Sequence, residues 1–199
     1  MDISEEKARI RKEIRKRRSA IPQDVLAGIG KDLPDFIFSI TDDELMSKLG
    51  NAKRIALYRS YKGEVPVDGL AEAFMAKGII CCFPRIEDGE MVFYDCGSLA
   101  DENFEVSSMG IKEPVATAAP VALKDIDVVV LPALAYNEEG TRLGAGGGYY
   151  DRCFGSMGAG RPYLLGICYE FQICSDVPSC DTDISADFIA VIPEEVYGD

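Results

Sequence analysis

The chain contains no histidine among its 199 residues. That removes serine–histidine and cysteine–histidine catalysis and any zinc site that needs an imidazole. Proton transfer therefore falls to Asp, Glu, Lys, Tyr or a substrate. Long apolar runs are missing too, none approaching the roughly 20 residues of a membrane span. The opening "MDISEEKARIRKEIRKRRSAIP" is charged throughout and lacks the apolar stretch of a secretory signal. The seven cysteines, at 81, 82, 96, 153, 168, 174 and 180, form no CxxC pair. They read as core residues or free thiols, and a cytoplasmic protein is expected. Positive charge is in short supply: a net charge of −13 argues against a nucleic-acid partner.

What is present suits one ordinary globular domain over residues 1–199, with 47% hydrophobic and 28% charged residues. The charge is unevenly placed. Residues 1–18 hold eight basic and four acidic side chains, leaving −17 for the rest. Residues 3–19 read as a helix with Asp2 or Ser4 as cap. Ile3, Ile10, Ile14 and Ile21 share one face, and Lys7, Arg11, Arg15 and Arg18 form a stripe beside it that overlooks whatever cleft the helix borders. A second helix over 23–39 is expected to break near Pro34. A third, Thr41–Gly50, is expected to start with a Thr41–Glu44 capping box and stop at glycine. Strands are read at 54–58, 79–83, 90–95, 127–134, 163–169 and 187–193, with a helix over 66–78 and another from Tyr149. Residues 100–126 look irregular. Alternation of this kind means an α/β fold with a mainly parallel central sheet and helices on both faces.

The segment "RLGAGGGYYDR" (142–152) packs four glycines between two arginines, after a buried strand and before a helix. Open α/β sheets hold ligands at such strand ends. Glycine amides can converge there on an anion, and the next helix N-terminus favours negative charge. The segment is neither a Walker A loop nor a GxGxxG fingerprint. Arg142 can meet phosphate oxygens, Asp151 can hold a magnesium ion, and Tyr149 and Tyr150 can wall a planar ring.

"PALAYNEEGTRLGAGGGYYDR" (132–152) resembles the signature of the 5-formyltetrahydrofolate cyclo-ligase family. The Lys7, Arg11, Arg18 spacing, "YRSYKGEV" (58–65), "FPRIEDGEMVFY" (83–94), "GIKEP" (110–114), "LLGICYEFQ" (164–172) and "PSCDTDISAD" (178–187) are similar to that family's segments in order. The resemblance implies a single-domain α/β sandwich like the sugar-phosphate isomerase and CoA-transferase group. It also implies an ATP- and Mg²⁺-dependent ligase, a cytoplasmic monomer acting on small molecules, which converts 5-formyltetrahydrofolate to 5,10-methenyltetrahydrofolate. The formyl oxygen would be phosphorylated and N10 would then close the ring. By resemblance, Lys7, Arg11, Arg142, Leu143, Gly144, Ala145, Gly146, Gly147, Gly148, Tyr149 and Tyr150 bind ATP. Arg59, Glu64 and the stretch Ala145 to Tyr149 touch the folate. Arg142, Gly146 and Tyr150 lie at the reacting centre, and Asp151 and Asp183 share the magnesium, with Asp181 and Asp187 as alternatives to Asp183. Three other readings are weighed: an ATP-dependent relative acting on another N-formyl or carboxylate substrate, a folate- or nucleotide-binding protein without catalysis, and a sugar-phosphate isomerase-like enzyme sharing only the fold, against which the absence of histidine and the arginine–glycine–aspartate motif weigh.

Overall fold

Side chains along the central strands alternate between two apolar cores, which requires cover on both faces of the sheet. The computed structural model describes residues 2–116, 119–180 and 182–198, and every count or absence stated refers to these described residues. The chain opens with α1 (Ile3–Ala20), α2 (Gln23–Ser39) and α3 (Asp43–Asn51). It continues through β1 (Arg54–Ala56), α4 (Asp68–Ala76) and the hairpin β2 (Ile80–Glu87) and β3 (Glu90–Cys96). Next come β4 (Phe104–Val106), β5 (Lys112–Pro114), β6 (Val128–Leu131), β7 (Ala135–Tyr136) and β8 (Arg142–Leu143). α5 (Tyr149–Phe154), β9 (Tyr163–Tyr169) and β10 (Phe188–Ile192) complete it. No described helix is long and apolar enough to cross a membrane.

Six described strands form one sheet in the order β10-β9-β6-β1-β2-β3, parallel throughout except for β2 with β3. Ile55, Val128, Val130, Leu165 and Ile167 pack with α2, α3 and α4 on one face. Ala56, Val129, Leu131, Leu164 and Cys168 pack with Phe154 of α5 on the other. The chain runs outward from β1 to β2 and β3, then returns to β6, β9 and β10. The strand order therefore reverses between β1 and β6. A crevice opens at their C-terminal ends, the place where such sheets hold ligands.

Six local expectations change. α2 runs unbroken through Pro34, whose missing N–H leaves the Gly30 carbonyl without its helical partner. α4 covers that carbonyl so closely that a Cβ on Gly69 would overlap the oxygen. Asp42, not Thr41, caps α3: its carboxylate accepts the Leu45 N–H at 2.7 Å, a charge-assisted bond that a hydroxyl cannot match. That helix passes through Gly50 to Asn51. Ile10, Ile14 and Ile21 are buried, but Ile3 is 57% exposed because it lies beyond the Leu134, Ala135 and Leu143 cluster on which α1 packs. β6 stops at Leu131 because Pro132 cannot donate to the sheet, and the chain then forms the β7–β8 hairpin. The stretch read as irregular contains the β4–β5 hairpin.

Candidate functional site

A cavity of about 720 Å³ opens at the reversal between β1 and β6. The connection after β1 supplies Arg59 and Glu64, the segment after β8 supplies the glycine turn, and α1 lies along one side. Lys7, Arg11, Arg59, Glu64, Arg142 through Asp151, and Asp183 all line this one cavity, whereas the alternative Asp187 does not. The basic stripe overlooks the cleft as its spacing requires, because burial of Ile10 and Ile14 turns Lys7, Arg11, Arg15 and Arg18 toward it.

α1 holds the glycine turn by its carbonyls. Arg11 Nε donates to Gly144 O and Arg15 Nη2 to Ala145 O, each at 3.0 Å, while Arg152 Nη1 reaches back to Gly147 O at 2.8 Å. With those carbonyls committed, the N–H groups of Ala145, Gly146, Gly147 and Gly148 donate to no described residue. They stay free to meet an anion, and α5 begins directly after them.

The glycines do different jobs. A Cβ on Gly144 would lie 2.9 Å from Arg142 Nη1, and one on Gly147 would lie 2.7 Å from the Tyr149 ring. Both spaces are taken by the protein's own side chains. Gly146 differs: nothing lies nearer than Arg11 at 3.7 Å, and its φ of +112° is one that L side chains rarely adopt. Backbone there approaches the open cavity.

Arg142, expected to reach phosphate, lines the cavity and is only 4% exposed. Its Nη2 meets Asp151 Oδ1 at 2.6 Å and its Nη1 meets Pro132 O at 3.3 Å. The same Asp151 oxygen accepts the Ile184 N–H at 3.1 Å, while Oδ2 takes no hydrogen bond from a described residue. Lys7 Nζ donates to Asp183 Oδ2 at 2.7 Å, and so does the Cys180 N–H at 3.0 Å. Burial raises the Asp183 carboxyl, but these two donors outweigh it and hold the group below the usual aspartate value. Of the alternatives, Asp187 is committed to Arg161 at 2.6 Å and to the Leu164 N–H, whereas Asp181 lies outside the described residues. No group of three or more Cys, Asp or Glu forms a metal cage among the described residues. Magnesium does not need one, because it keeps waters and bridges phosphate oxygens through one or two carboxylates. The donor set of Asp151 and Asp183, both facing the cavity, fits an ion held in that way.

On the opposite side, Arg59 ion-pairs with Asp68 at 3.4 Å and lies 4.4 Å over the Phe104 ring, with its buried Nη1 unpartnered. Glu64 pairs with Arg18 at 3.2 Å; burial raises its carboxyl, and the Arg18 charge opposes the rise. Burial also pushes the Tyr150 phenol well above its ordinary value, so it stays neutral. Pro84, Ile86, Met91 and Ile111 give the cavity an apolar wall. Sequence reasoning missed this wall, together with the Arg18–Glu64 pair and the grip of Arg152. The arginines were visible in the basic stripe and at the end of the glycine segment; the wall carries no local pattern that marks it.

Residues 3–192 match the model of the 5-formyltetrahydrofolate cyclo-ligase family. The chain is 26% identical over 147 residues to the mouse 5-formyltetrahydrofolate cyclo-ligase, covering 69% of this chain and 72% of that protein. It is 25% identical over 203 residues to the yeast protein of the same name, covering 90% and 92%. The NMR structure of 5,10-methenyltetrahydrofolate synthetase from Aquifex aeolicus superposes with a TM-score of 0.72 at 28% identity, covering 93% of this chain and 89% of that one. The structure of a 5,10-methenyltetrahydrofolate synthetase from Mycoplasma pneumoniae gives 0.69 at 25% identity, covering 95% and 98%.

Proposed function

Because this chain belongs to the 5-formyltetrahydrofolate cyclo-ligase family, we propose that its cavity joins ATP and 5-formyltetrahydrofolate at the glycine turn and closes the folate ring there. The family's ligases convert 5-formyltetrahydrofolate to 5,10-methenyltetrahydrofolate, with ATP as co-substrate. The observation that carries the reading is the row of uncommitted amides from Ala145 to Gly148, beside the cationic face of α1 and under the start of α5.

In this reading, Lys7, Arg11 and the turn amides receive the triphosphate, with Arg142 acting by fixing Asp151. Glu64 and Arg59 meet polar groups of the folate, and the apolar wall flanks its rings. The formyl oxygen attacks the γ-phosphorus and ADP leaves. That oxygen, a poor leaving group on an amide, becomes part of a phosphate. N10 then bonds to the formyl carbon, the carbon–oxygen bond breaks, phosphate departs and N10 loses its proton. Gly146 gives the backbone closest access to the transferring group. Tyr150, kept neutral, can donate its O–H there. Catalysis of this kind depends on positioning and charge neutralisation, so the lack of histidine is no handicap. Asp151 and Asp183 would hold Mg²⁺, which neutralises charge on the phosphates. A cytoplasmic, monomeric, single-domain enzyme belongs to the same proposal, and its seven free thiols fit a reducing compartment.

The test follows methenyl-folate absorbance with and without ATP. Product should form only with ATP and should match ADP and phosphate release one to one. Folded protein that yields no ATP-dependent product overturns the assignment.

A further inference from the structure

We propose that Arg18 is a positioning residue, holding the Glu64 carboxylate in one orientation toward the cavity and thereby fixing how the site reads the donor groups of its heterocyclic substrate. The inference rests on the reading that Glu64 contacts the folate. Arg18 sits in the last turn of α1, buried, with Nη2 3.2 Å from Glu64 Oε1 and 3.0 Å from Tyr61 O. The second carboxylate oxygen, Oε2, accepts the Tyr61 N–H at 3.1 Å. The connection turns tightly around the end of the helix: Gly63 has φ +73°, and a Cβ there would collide with the Arg18 carbonyl. Glu64 is thus clamped from two sides, by a guanidinium and by an amide of its own loop.

Arg18 is not explained by stability. Its Nε is buried with no partner, and buried ion pairs often stabilise less than apolar side chains of similar volume. What the arginine supplies is charge at one place. Burial alone drives the Glu64 carboxyl upward toward its neutral form; the Arg18 charge and the Tyr61 N–H act in the opposite sense. Four phenols lie near it, Tyr58 after β1, Tyr136 of β7, Tyr150 of α5 and Tyr169 of β9, all raised by burial and therefore uncharged, while Arg11 and Arg15 of α1, Lys112 and Glu113 of β5 and Arg142 of β8 line the same cavity. Within the loop, Arg59 is turned to Asp68, and Lys62 lies over the Tyr61 ring. A carboxylate offers acceptors only, whereas a protonated carboxyl offers one donor, so the charge state decides which ring edge fits.

Arg18→Met should raise KM for 5-formyltetrahydrofolate on the order of tenfold or more at neutral pH, the scale of a lost charged hydrogen bond. KM for ATP should stay within about twofold. The loss should shrink as pH rises from about 6 to 9, because Glu64 then ionises without its partner. Arg18→Lys, which keeps the charge but loses the fork, should fall between the two. Adding Arg18→Met to Glu64→Gln should cost little further folate affinity, since no carboxylate remains to be held. A pH-independent loss, an equal rise in both KM values, or additive effects in the double variant would overturn the proposal. Should Arg18→Met fail to fold, Arg18→Gln, which removes the charge but keeps a donor for the Tyr61 carbonyl, carries the same pH test. Glu64→Gln separates this from the parent reading: unchanged KM for the folate in that variant sinks the assignment of Glu64 to the substrate, whatever Arg18 does.

Discussion

Replacing Asp151 with alanine tests whether the glycine turn is founded on the buried Arg142. In the folded protein Arg142 has a side chain only 4% exposed, against 17% for Asp151, with 2.6 Å between Nη2 and Oδ1. Removing the carboxylate leaves that guanidinium with Pro132 O as its remaining described acceptor and strips the Ile184 N–H of its partner. Breaking a buried pair from one side costs about 3–5 kcal/mol. For a chain of this size the melting temperature should fall by roughly 6–20 °C. Asp151→Asn keeps an acceptor for both donors and loses only the charge, so about 1–2 kcal/mol is expected. The assay is urea unfolding near neutral pH in the absence of nucleotide and magnesium, so that only the protein's own contacts count. Turnover and its magnesium titration are then measured on the folded asparagine variant, where both should weaken. An alanine variant that loses less than about 1 kcal/mol refutes the reasoning, because Arg142 would then not depend on Asp151 for its place.

Other outcomes follow from the same geometry. Gly146→Val should fold at a strain cost of about 1–3 kcal/mol, given its positive φ and open surroundings. It should bind ATP on the order of tenfold or more weakly by calorimetry, and wild-type affinity would contradict the phosphate cradle. The Asp183 carboxyl lies below its ordinary value of 3.8, so its contribution to stability is complete above that value and lost as pH falls through the lower folded-state one. The stability gap between wild type and Asp183→Asn should therefore close on acidification, and a gap constant from about pH 5 to pH 2 would contradict the pairing. Burial pushes the Cys81 and Cys168 thiols up to about 12 and those of Cys96 and Cys153 to about 11, whereas Cys180 is exposed. An aromatic disulfide reagent should label Cys180 first in native protein, read by peptide mass mapping; equally fast labelling of Cys168 would be inconsistent with this core.

The layers were legible because buried parallel strands are nearly all apolar: "VVVL" and "YLLGICY" advertise themselves, and both lie wholly inside. The basic stripe was legible because helical spacing ties it to Ile10 and Ile14. Sequence patterns could not show the partners of those charges. Arg142 looks like a phosphate ligand when read beside glycines, yet the buried carboxylate that holds it, Asp151, lies nine residues on. Two-residue strands such as β7 and β8 are too short for any periodicity to register. Thr41 and Asp42 are both sound caps locally, and only the hydrogen bond to Leu45 decides between them. Pro34 breaks the helix in a local reading, but a neighbouring helix, close because Gly69 has no side chain, covers the exposed carbonyl.

α1 supplies its cations across long stretches of chain: 133 residues separate Arg11 from Gly144, and 176 separate Lys7 from Asp183. During synthesis that helix leaves the ribosome well before the segments it must clasp. A stalled or prematurely terminated product would carry the positive arm without the glycine turn and Asp183 that it holds in the folded protein. Competence at the cleft thus waits until the segment that bears Asp183 has been made and folded onto α1. A bulky fusion joined ahead of Ile3 would sit about one helical turn from the Lys7–Asp183 contact.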